Sequence, residues 1–370
     1  MAEIVCLKAV EDRRASVLRA AQALEEGELV GLPTESGYVL AASSLQPDAV
    51  RRLIEACGTP PVVACRSPEE ARDCLPFLPR VGDKLLRRTW PGPLQMAVDP
   101  KVTERGLVDS LPLPINELVC DELTRFRVSS GEVFAEVSRP LESPLVVSDE
   151  SFGPRFGTAE ALAAHVGNVA SLILDAGAPR FEAGLTAVVI HDKTVTVPRA
   201  GVIAADSVQR LTSDVFLFVC TGNTCRSPMA EGLFRHKLSK LLNCPESELA
   251  NAGFYVASAG ISAAFGMSAS PESVQLLSKR GIDISMHSSQ PLSDRLLNQA
   301  DFVYTMTRGH RRAILAERPD LEDRVQLLSS DGSDVPDPIG GGLEEYERCQ
   351  RAIERQLELI LARVEPRPSN

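Results

Sequence analysis

The second half of the chain alternates short apolar runs with stretches whose apolar residues fall at helical spacing. Residues 215–219 form an uninterrupted apolar run, which is typical of a strand covered on both faces of a parallel sheet. Further strand-like runs lie at residues 254–257, 302–304 and 325–328. A helix is predicted after each run, and the last one carries an apolar stripe from Tyr346 to Val364. Four strands alternating with helices predict a four-stranded doubly wound parallel sheet.

The first half mixes strands and helices in a less regular order. The pattern predicts strands at residues 29–32, 62–65, 144–148 and 171–174 and helices at residues 48–56, 68–74 and 159–166. Residues 186–190 and 194–197 alternate on either side of a polar turn, as the strands of a hairpin do. Residues 100–140 show no clear period, so no element is predicted there.

Chain length and patterning together predict the domain organisation. At 370 residues the chain exceeds what one hydrophobic core usually supports, so two domains are expected. We place the boundary in the polar segment 205–214, because the alternation of strands and helices restarts at Val215. The predicted domains are residues 1–212 and 213–370.

Charge and cysteine content narrow the choice of partners and compartment. The formal net charge of −11 at pH 7 opposes binding of a polyphosphate backbone, so nucleic acid is not an expected partner. Nine cysteines cannot all pair, and a reducing compartment keeps such thiols free. The chain has neither a signal-like start nor an apolar run long enough to span a bilayer. We therefore expect a cytoplasmic protein with no membrane partner.

The segment after the first strand of the second half is the strongest candidate for chemistry. It runs from Cys220 to Ser227 in the pattern Cys-x5-Arg-Ser, and Pro228 then occupies a first-turn position that proline favours. Backbone N–H groups between Cys220 and Arg226, followed by a helix N-terminus, form a cradle for an anion. The same charges favour a thiolate, so Cys220 is a candidate nucleophile and Arg226 a candidate bidentate partner for a phosphoryl group.

Other residues of the second half complete this picture. Ser227 can donate a hydrogen bond to the Cys220 sulfur, and Asn223 tolerates the left-handed backbone that a tight loop needs. A phosphoryl transfer also needs an acid for the leaving group, and Asp337 is the preferred candidate because prolines on both sides stiffen its loop. Asp334 is the competing carboxylate. No metal and no cofactor are expected.

These residues resemble the low-molecular-weight protein tyrosine phosphatase family over residues 214–364. The family's loop pattern, Cys-x-Gly-Asn-x-Cys-Arg-Ser, is met from Cys220 to Ser227, and its Asp-Pro pair is met at Asp337. The resemblance implies a cysteinyl-phosphate intermediate, with Asp337 acting first as acid and then as base. It also implies phosphate binding and loop support by eight further residues: Thr221, Gly222, Asn223, Thr224, Cys225, Ser227, Ser258 and His287.

One loop position bears on the substrate, which the resemblance implies to be a phosphorylated protein. Tyrosine-specific members usually carry a bulky aliphatic residue where this chain has Thr224, whereas the branch that acts on phosphoarginine carries threonine. A hydroxyl suits a polar guanidinium, so phosphoarginine is favoured and phosphotyrosine is the alternative. Ile339 departs from the aromatic residue that the arginine-specific pattern has directly after Asp-Pro.

Several alternative interpretations of these residues stay open. Cys225 either forms a protective disulfide with Cys220 under oxidation, as family members with this spacing can, or is a plain loop thiol. His287 is interpreted as a scaffold residue. The run His310-Arg311-Arg312 is interpreted as a solvated helix face, with a substrate-docking patch as the alternative. An arsenate reductase is disfavoured, because residues 281–297 hold no resolving cysteine.

The first half resembles the YrdC-like family, whose members make threonylcarbamoyl-adenylate from threonine, bicarbonate and ATP. Its landmarks here are residues 33–38, 90–94 and 199–201. The resemblance implies an open twisted α/β sheet. The family's Lys-x-Arg pair is absent near residues 57–59, and its Ser-Ala-Asn signature reads Ser-Asp-Glu at 148–150. Since Glu150 would also repel ATP phosphates, we predict a degenerate domain. It would keep a small-molecule or nucleotide ligand or a scaffolding role; synthase activity or RNA binding is the alternative.

Overall fold

The computed structural model describes residues 2–9, 12–58, 61–112 and 115–364. The chain separates into two compact units, Met1–Thr212 and Ser213–Asn370. Each unit has its own β-sheet and its own hydrophobic core. Within the described ranges, no helix combines the length and the apolar character needed to cross a membrane.

The described part of the first unit consists of a β-sheet and seven α-helices that pack around it. The strands are β1 (Glu3–Cys6), β2 (Leu29–Pro33), β3 (Tyr38–Ser43), β4 (Pro61–Cys65), β5 (Leu94–Val98), β6 (Val119–Cys120), β7 (Leu123–Val128), β8 (Leu145–Ser148), β9 (Ala170–Asp175), β10 (Thr186–Ile190) and β11 (Val195–Arg199). The helices are α1 (Arg13–Glu25), α2 (Pro47–Cys57), α3 (Pro68–Cys74), α4 (Arg80–Thr89), α5 (Glu132–Ser138), α6 (Ala159–Val166) and α7 (Ala205–Leu211).

The sheet of the first unit mixes parallel and antiparallel pairs. Its order is β1-β9-β2-β3-β8-β4-β7-β5-β10-β11, and β6 pairs with β7 away from this path. The predicted open α/β sheet and the β10–β11 hairpin are therefore confirmed. Apolar residues fill both faces, with Leu40, Met96 and Phe126 on one side and Val39, Val147 and Leu172 on the other.

The region without a predicted element holds the strand β7, in the middle of this sheet. β7 escapes a search for apolar alternation because its buried residues include Thr124, Arg125 and Arg127 beside Phe126 and Val128. Burial of charged side chains is the exception that a hydrophobic pattern cannot anticipate. The helix α5 follows directly, and its inward residues are too few to set up a visible period.

The second unit is a three-layer arrangement with helices on both faces of its sheet. The strands are β12 (Asp214–Cys220), β13 (Phe254–Gly260), β14 (Phe302–Thr305) and β15 (Val325–Leu327). The helices are α8 (Arg226–Leu242), α9 (Pro271–Ser278), α10 (Asp294–Gln299), α11 (Arg308–Glu317) and α12 (Leu343–Leu361). Helix α10 was absent from the predicted elements; its six residues bury one apolar side chain, Leu297.

The four strands are parallel and lie in the order β13-β12-β14-β15, which confirms the predicted doubly wound sheet. The central strand β12 is buried from Phe216 onward and ends at Cys220. On one face, Phe216 packs against Phe234 of α8 at 4.7 Å between ring centroids. On the other face, Val219 packs with Leu297 and Ile314 of α10 and α11. The carboxyl end of β12 therefore opens between two helical layers, where parallel sheets bind ligands.

Polar contacts fix the helices of this unit. Side chains of Ser270, Ser293 and Thr307 cap α9, α10 and α11 by accepting from a backbone N–H three residues on. Helix α12 is joined to α8 and to the end of α9 through Glu354, which contacts Arg280 at 2.6 Å and Lys237 at 2.9 Å. Hydrogen bonding to Arg280 lowers the pKa of Glu354 to about 2.

Candidate active site

Cys220 lies at the junction where β12 ends, six residues before α8 begins. The thiol is 2% exposed. The backbone N–H of Asn223 donates to Sγ at 3.2 Å, and Ser227 Oγ lies 3.0 Å from Sγ. Polar hydrogens and the N-terminus of α8 thus converge on the sulfur, at the end of the strand where the loop begins.

Asn223 holds the loop in shape from inside. Its φ of 54° is left-handed, and its side chain is fully buried. The amide Nδ2 donates to Ser227 Oγ at 2.9 Å and to Ser258 Oγ at 2.8 Å, while Oδ1 accepts from the Gln290 N–H at 2.9 Å. His287 Nε2 lies 2.8 Å from the Asn223 carbonyl oxygen. The structure therefore brings Ser258 and His287 together around the loop asparagine.

Glu231, which was not among the predicted site residues, completes this network. The Ser258 hydroxyl donates to Glu231 Oε2 at 2.6 Å. A carboxylate can only accept a hydrogen bond, so the Ser258 hydroxyl donates to Glu231 and accepts from Asn223 Nδ2. The same amide nitrogen donates its other hydrogen to Ser227 Oγ. The Ser227 hydroxyl is then left to donate, with Cys220 Sγ at 3.0 Å and the Ala259 carbonyl oxygen at 3.4 Å within reach. Glu231 follows Ser227 by four residues on α8, so helical spacing was an available signal.

Gly260 is a second residue of the site that was not among the predicted ones. It ends β13 beside the loop, and a Cβ at this position would lie 2.5 Å from the Thr221 carbonyl oxygen and 2.8 Å from the Asn223 nitrogen. Any side chain would therefore push the phosphate loop away from β13. The carbonyls of Cys220 and Thr221 also accept from the N–H groups of Ile261 and Ser262, which joins the loop to the segment after β13.

Arg226 and Asp337 face each other across the mouth of the loop. Arg226 is 5% exposed, and its Nη2 contacts Asp337 Oδ2 at 2.6 Å. The Asp337 side chain is 47% exposed and thus open to a ligand. Asp334 points elsewhere, since it accepts from the Arg308 N–H at 2.8 Å, and this bond lowers the pKa of Asp334. Of the two candidate carboxylates, Asp337 is the one that contacts the loop.

The interpretation of His310 as part of a solvated helix face is wrong. The residue is half-buried on α11, and its Nε2 lies 3.0 Å from Thr221 Oγ1. Burial lowers the pKa of His310, and the nearby Arg226 lowers it further. Its neighbour Arg312 is exposed, as predicted. A sequence cannot separate the two, because only the packing of α11 against the loop selects one helix position over the next.

The outer part of the loop carries Thr224 and Cys225. Cys225 Sγ lies 3.3 Å from the Tyr346 hydroxyl and 3.6 Å from Thr224 Oγ1. Burial, followed by the bond to Cys225, raises the pKa of Tyr346 to about 12. The Thr224 carbonyl accepts from the N–H of Ser270, the capping residue of α9.

Gly222 has open space around its α-carbon, with Thr224 Oγ1 nearest at 3.6 Å from an added Cβ. No cluster of potential metal ligands occurs in the described ranges.

The first unit contains a buried cluster of opposite charges at the motif around residues 33–38. Arg127 Nη2 contacts Glu35 and Nη1 contacts Glu150, each at 3.2 Å, and all three side chains are at most 2% exposed. Hydroxyl groups of Thr34 and Ser36 donate to the Glu150 carboxylate. Although burial opposes it, Glu150 and Glu35 raise the pKa of Arg127. Both terminal nitrogens of Arg127 are therefore engaged by carboxylates, whereas its Nε is buried without a hydrogen-bond partner in the described structure.

Beside that cluster lies a cavity of about 260 Å³ under β5, β7 and β10. Gln95, Arg125 and Phe152 line it, and the Arg125 guanidinium lies 5.8 Å from the Phe152 ring centroid. Gln95 Oε1 and Arg125 Nε are buried without a hydrogen-bond partner in the described structure. Among the positions expected for the family's basic pair, Cys57 and Gly58 offer no charge, and Thr59 lies outside the described residues.

Comparison with known proteins separates the same two parts of the chain. The family model described as low molecular weight phosphotyrosine protein phosphatase matches residues 215–368. A model described as "Telomere recombination", which covers Sua5, YciO and YrdC proteins, matches residues 22–201. The chain therefore joins a YrdC-like first half to a phosphatase-family second half.

The curated phosphatase relatives align with about two fifths of the chain. A protein-arginine-phosphatase of Geobacillus stearothermophilus is 38% identical over 152 residues, which are 40% of this chain and 91% of that protein. A probable low molecular weight protein-tyrosine-phosphatase of Ralstonia solanacearum, EpsP, is 34% identical over 149 residues, which are 40% of this chain and 94% of that protein. A solved structure of Sua5 from P. abyssi aligns with 70% of this chain and 91% of its own at 18% identity and a TM-score of 0.49. Through its second unit, this chain belongs to the low-molecular-weight protein phosphatase family.

Proposed function

We propose that the second unit is a cysteine-dependent protein phosphatase that prefers phosphoarginine. The observation that carries the preference is the hydroxyl of Thr224, half-buried in the loop between Cys220 and Arg226. A phosphorylated guanidinium is polar and cationic at its leaving group, whereas a phosphotyrosine ring needs an apolar wall. The exposed side chain of Asp337 adds to the preference, because its carboxyl group can accept a hydrogen bond from a guanidinium N–H, which a phenyl ring lacks.

The proposed reaction has two steps. Cys220 Sγ attacks phosphorus, the S–P bond forms as the P–N bond breaks, and Asp337 gives its proton to the departing guanidine nitrogen. A water molecule then attacks phosphorus, Asp337 takes the water's proton, and the S–P bond breaks to release inorganic phosphate. Arg226 and the loop N–H groups stabilise the charge on the equatorial phosphoryl oxygens, and Ser227 donates to the departing sulfur in the second step.

The segment after Asp337 also bears on the substrate. Residues 339–341 are Ile-Gly-Gly, so they supply no ring to stack on a phosphotyrosine. Ile339 is 72% exposed and leaves the mouth of the loop open. One relative is named a protein-arginine-phosphatase and another a probable protein-tyrosine-phosphatase, and their identities to this chain are similar. The proposed preference for phosphoarginine therefore rests on the residues of this chain.

A parallel assay on three substrates tests the proposal. Proteins carrying phosphoarginine, phosphotyrosine or phosphoserine are incubated with the wild type and with Cys220→Ser, and kcat/KM is measured from phosphate release. We expect the highest value for phosphoarginine and no turnover in Cys220→Ser. Equal turnover by the serine variant would refute the cysteinyl-phosphate mechanism.

The preference itself is tested at Thr224. Thr224→Ile adds an aliphatic wall and removes the hydroxyl, so the ratio of phosphoarginine to phosphotyrosine kcat/KM is expected to fall at least tenfold, about the worth of one hydrogen bond to a charged group. Thr224→Ser keeps the hydroxyl and is the matched control, with a ratio near that of the wild type. A ratio unchanged by Thr224→Ile would contradict the assignment.

We propose for the first unit that synthase activity is lost and that a small ligand occupies the cavity beside Arg125. The supporting observations are the neutralisation of Arg127 by Glu35 and Glu150 and the Gln95 Oε1, which is buried without a hydrogen-bond partner in the described structure. A ligand there should offer a hydrogen-bond donor to Gln95 Oε1. ATP supplied with threonine and bicarbonate should give no pyrophosphate release, and release that depends on threonine would restore the synthase as the function of this unit.

A further inference from the structure

His310 lies outside the loop motif, yet its imidazole reaches the rim of the loop. Its Nε2 is 3.0 Å from Thr221 Oγ1, and Arg226 Nη2 lies 3.5 Å from the same oxygen. Thr221 itself is exposed at the mouth of the loop. The hydroxyl of Thr221 is therefore shared between a residue of α11 and the arginine that faces Asp337.

The protonation state of His310 can be assigned from its surroundings. The charged groups facing it are Arg226 from α8 and the carboxylates of Asp334 and Asp337 from the loop after β15. Burial and Arg226 outweigh the carboxylates and lower the pKa of His310, which favours the neutral imidazole with one proton at pH 7. Its Nδ1 is buried and has no hydrogen-bond partner within the described part of the chain.

That unpaired nitrogen decides where the single proton lies. A buried N–H without a partner costs more than a buried lone pair without one, so we assign the proton to Nε2. Nε2 then donates to Thr221 Oγ1. Arg226 can only donate as well, so the oxygen accepts from both sides. The hydroxyl hydrogen of Thr221 therefore stays available for donation to an anion at the exposed rim of the loop.

We propose that His310 is a positioning residue that makes Thr221 a hydrogen-bond donor to the bound phosphoryl group. A phosphoryl oxygen can only accept a hydrogen bond. Because the Thr221 oxygen already accepts hydrogen bonds from His310 and Arg226, its hydroxyl hydrogen is directed to donate to the phosphoryl oxygen. Without His310, the Thr221 hydroxyl would rotate freely and would spend part of its time directed away from the anion. The inference deepens the proposed phosphatase function and names how one rim residue of that site is oriented.

Binding of inorganic phosphate to the full-length protein, measured by calorimetry, tests this role without requiring turnover. Thr221→Val and His310→Leu should each weaken phosphate binding about tenfold, the lower end for a hydrogen bond to a charged group. The double variant should bind no more weakly than Thr221→Val alone, because His310 acts through that hydroxyl. His310→Gln places an N–H donor near the position of Nε2 and should restore binding to within about threefold of the wild type, less than half the energy of a tenfold change. Thr221→Ser should bind like the wild type.

Three results would overturn the inference. One is an unchanged dissociation constant in Thr221→Val, which keeps the fold because the residue is exposed. Another is His310→Leu and Thr221→Val effects that multiply in the double variant. The last is a His310→Gln variant that melts like the wild type yet binds phosphate as weakly as His310→Leu. Failure of the proposed function would look different, since the wild type would then bind phosphate but release none from phosphoarginine.

Discussion

Replacing Asn223 by alanine should destabilise the second unit more than any other single change in the loop. The substitution removes three buried side-chain hydrogen bonds, to Ser227, Ser258 and the Gln290 N–H. Each is worth about 1 kcal/mol, and the Gln290 N–H left without a partner adds about 1 kcal/mol more. An alanine at a φ of 54° adds backbone strain of about 1 kcal/mol. The expected loss of unfolding free energy is therefore about 5 kcal/mol.

Asn243 supplies a matched control for the strain. It is also an asparagine at positive φ, 51°, where it caps the end of α8, but it is exposed. No side-chain hydrogen bond of Asn243 occurs in the described structure. Asn243→Ala should therefore cost about 1 kcal/mol, the strain alone. The difference between the two variants, about 4 kcal/mol, isolates the hydrogen bonds of the loop asparagine.

Urea unfolding measures both variants, with separate probes for the two units. The single tryptophan, Trp90, lies in the first unit, so its fluorescence follows that unit. Three of the four tyrosines, Tyr255, Tyr304 and Tyr346, lie in the second unit, so the tyrosine bands of the near-ultraviolet circular dichroism report mainly on it. A difference between the variants below about 1.5 kcal/mol in the second transition would refute the reasoning, since one hydrogen bond alone would account for it.

Three other changes have defined outcomes. Asp337→Asn should lower kcat on phosphoarginine about a hundredfold or more by removing the proton donor, whereas Asp334→Asn should lower it less than about threefold; steady-state kinetics compares the two. Glu354→Gln should destabilise the second unit by about 1 kcal/mol at pH 7. Because the folded-state pKa of Glu354 lies below its ordinary 4.5, at about 2, this difference is present above pH 4.5 and disappears as pH falls toward 2, as urea unfolding at several pH values will show. Arg127→Met strands two buried carboxylates and should cost the first unit about 3–5 kcal/mol, read from Trp90 fluorescence; a loss under about 1 kcal/mol would contradict the buried ion-pair account.

The strands and helices of the second unit were predictable because their pattern is simple. A strand covered by helices on both faces must be apolar throughout, and β12 and β14 show that run directly in the sequence. The loop from Cys220 to Ser227 was equally visible, because an anion cradle needs a fixed spacing between nucleophile, arginine and helix start. Those features are formed by residues that are close together in the sequence, so the sequence pattern shows them directly.

The elements that escaped prediction depend on partners far away in the sequence. β7 lies in the middle of the first sheet although it buries Arg125 and Arg127. Burial of these charges is stable because Asp149 and Glu150, which directly follow β8, form ion pairs with them. The contact of His310 with Thr221 is of the same kind, since 89 residues separate the two. No pattern along the chain encodes which helix face will meet which loop.

The sequence by itself determined that the second half is a parallel α/β unit with a phosphate loop at the end of its first strand. Tertiary structure alone decided how that loop is supported. It placed Glu231 behind Ser258 and Asn223, set Asp337 rather than Asp334 against Arg226, and brought His310 to Thr221. The physical reason is that periodicity and spacing record contacts within a turn or a strand. A hydrogen bond between two elements exists only once the sheet has fixed their separation to within a few tenths of an ångström.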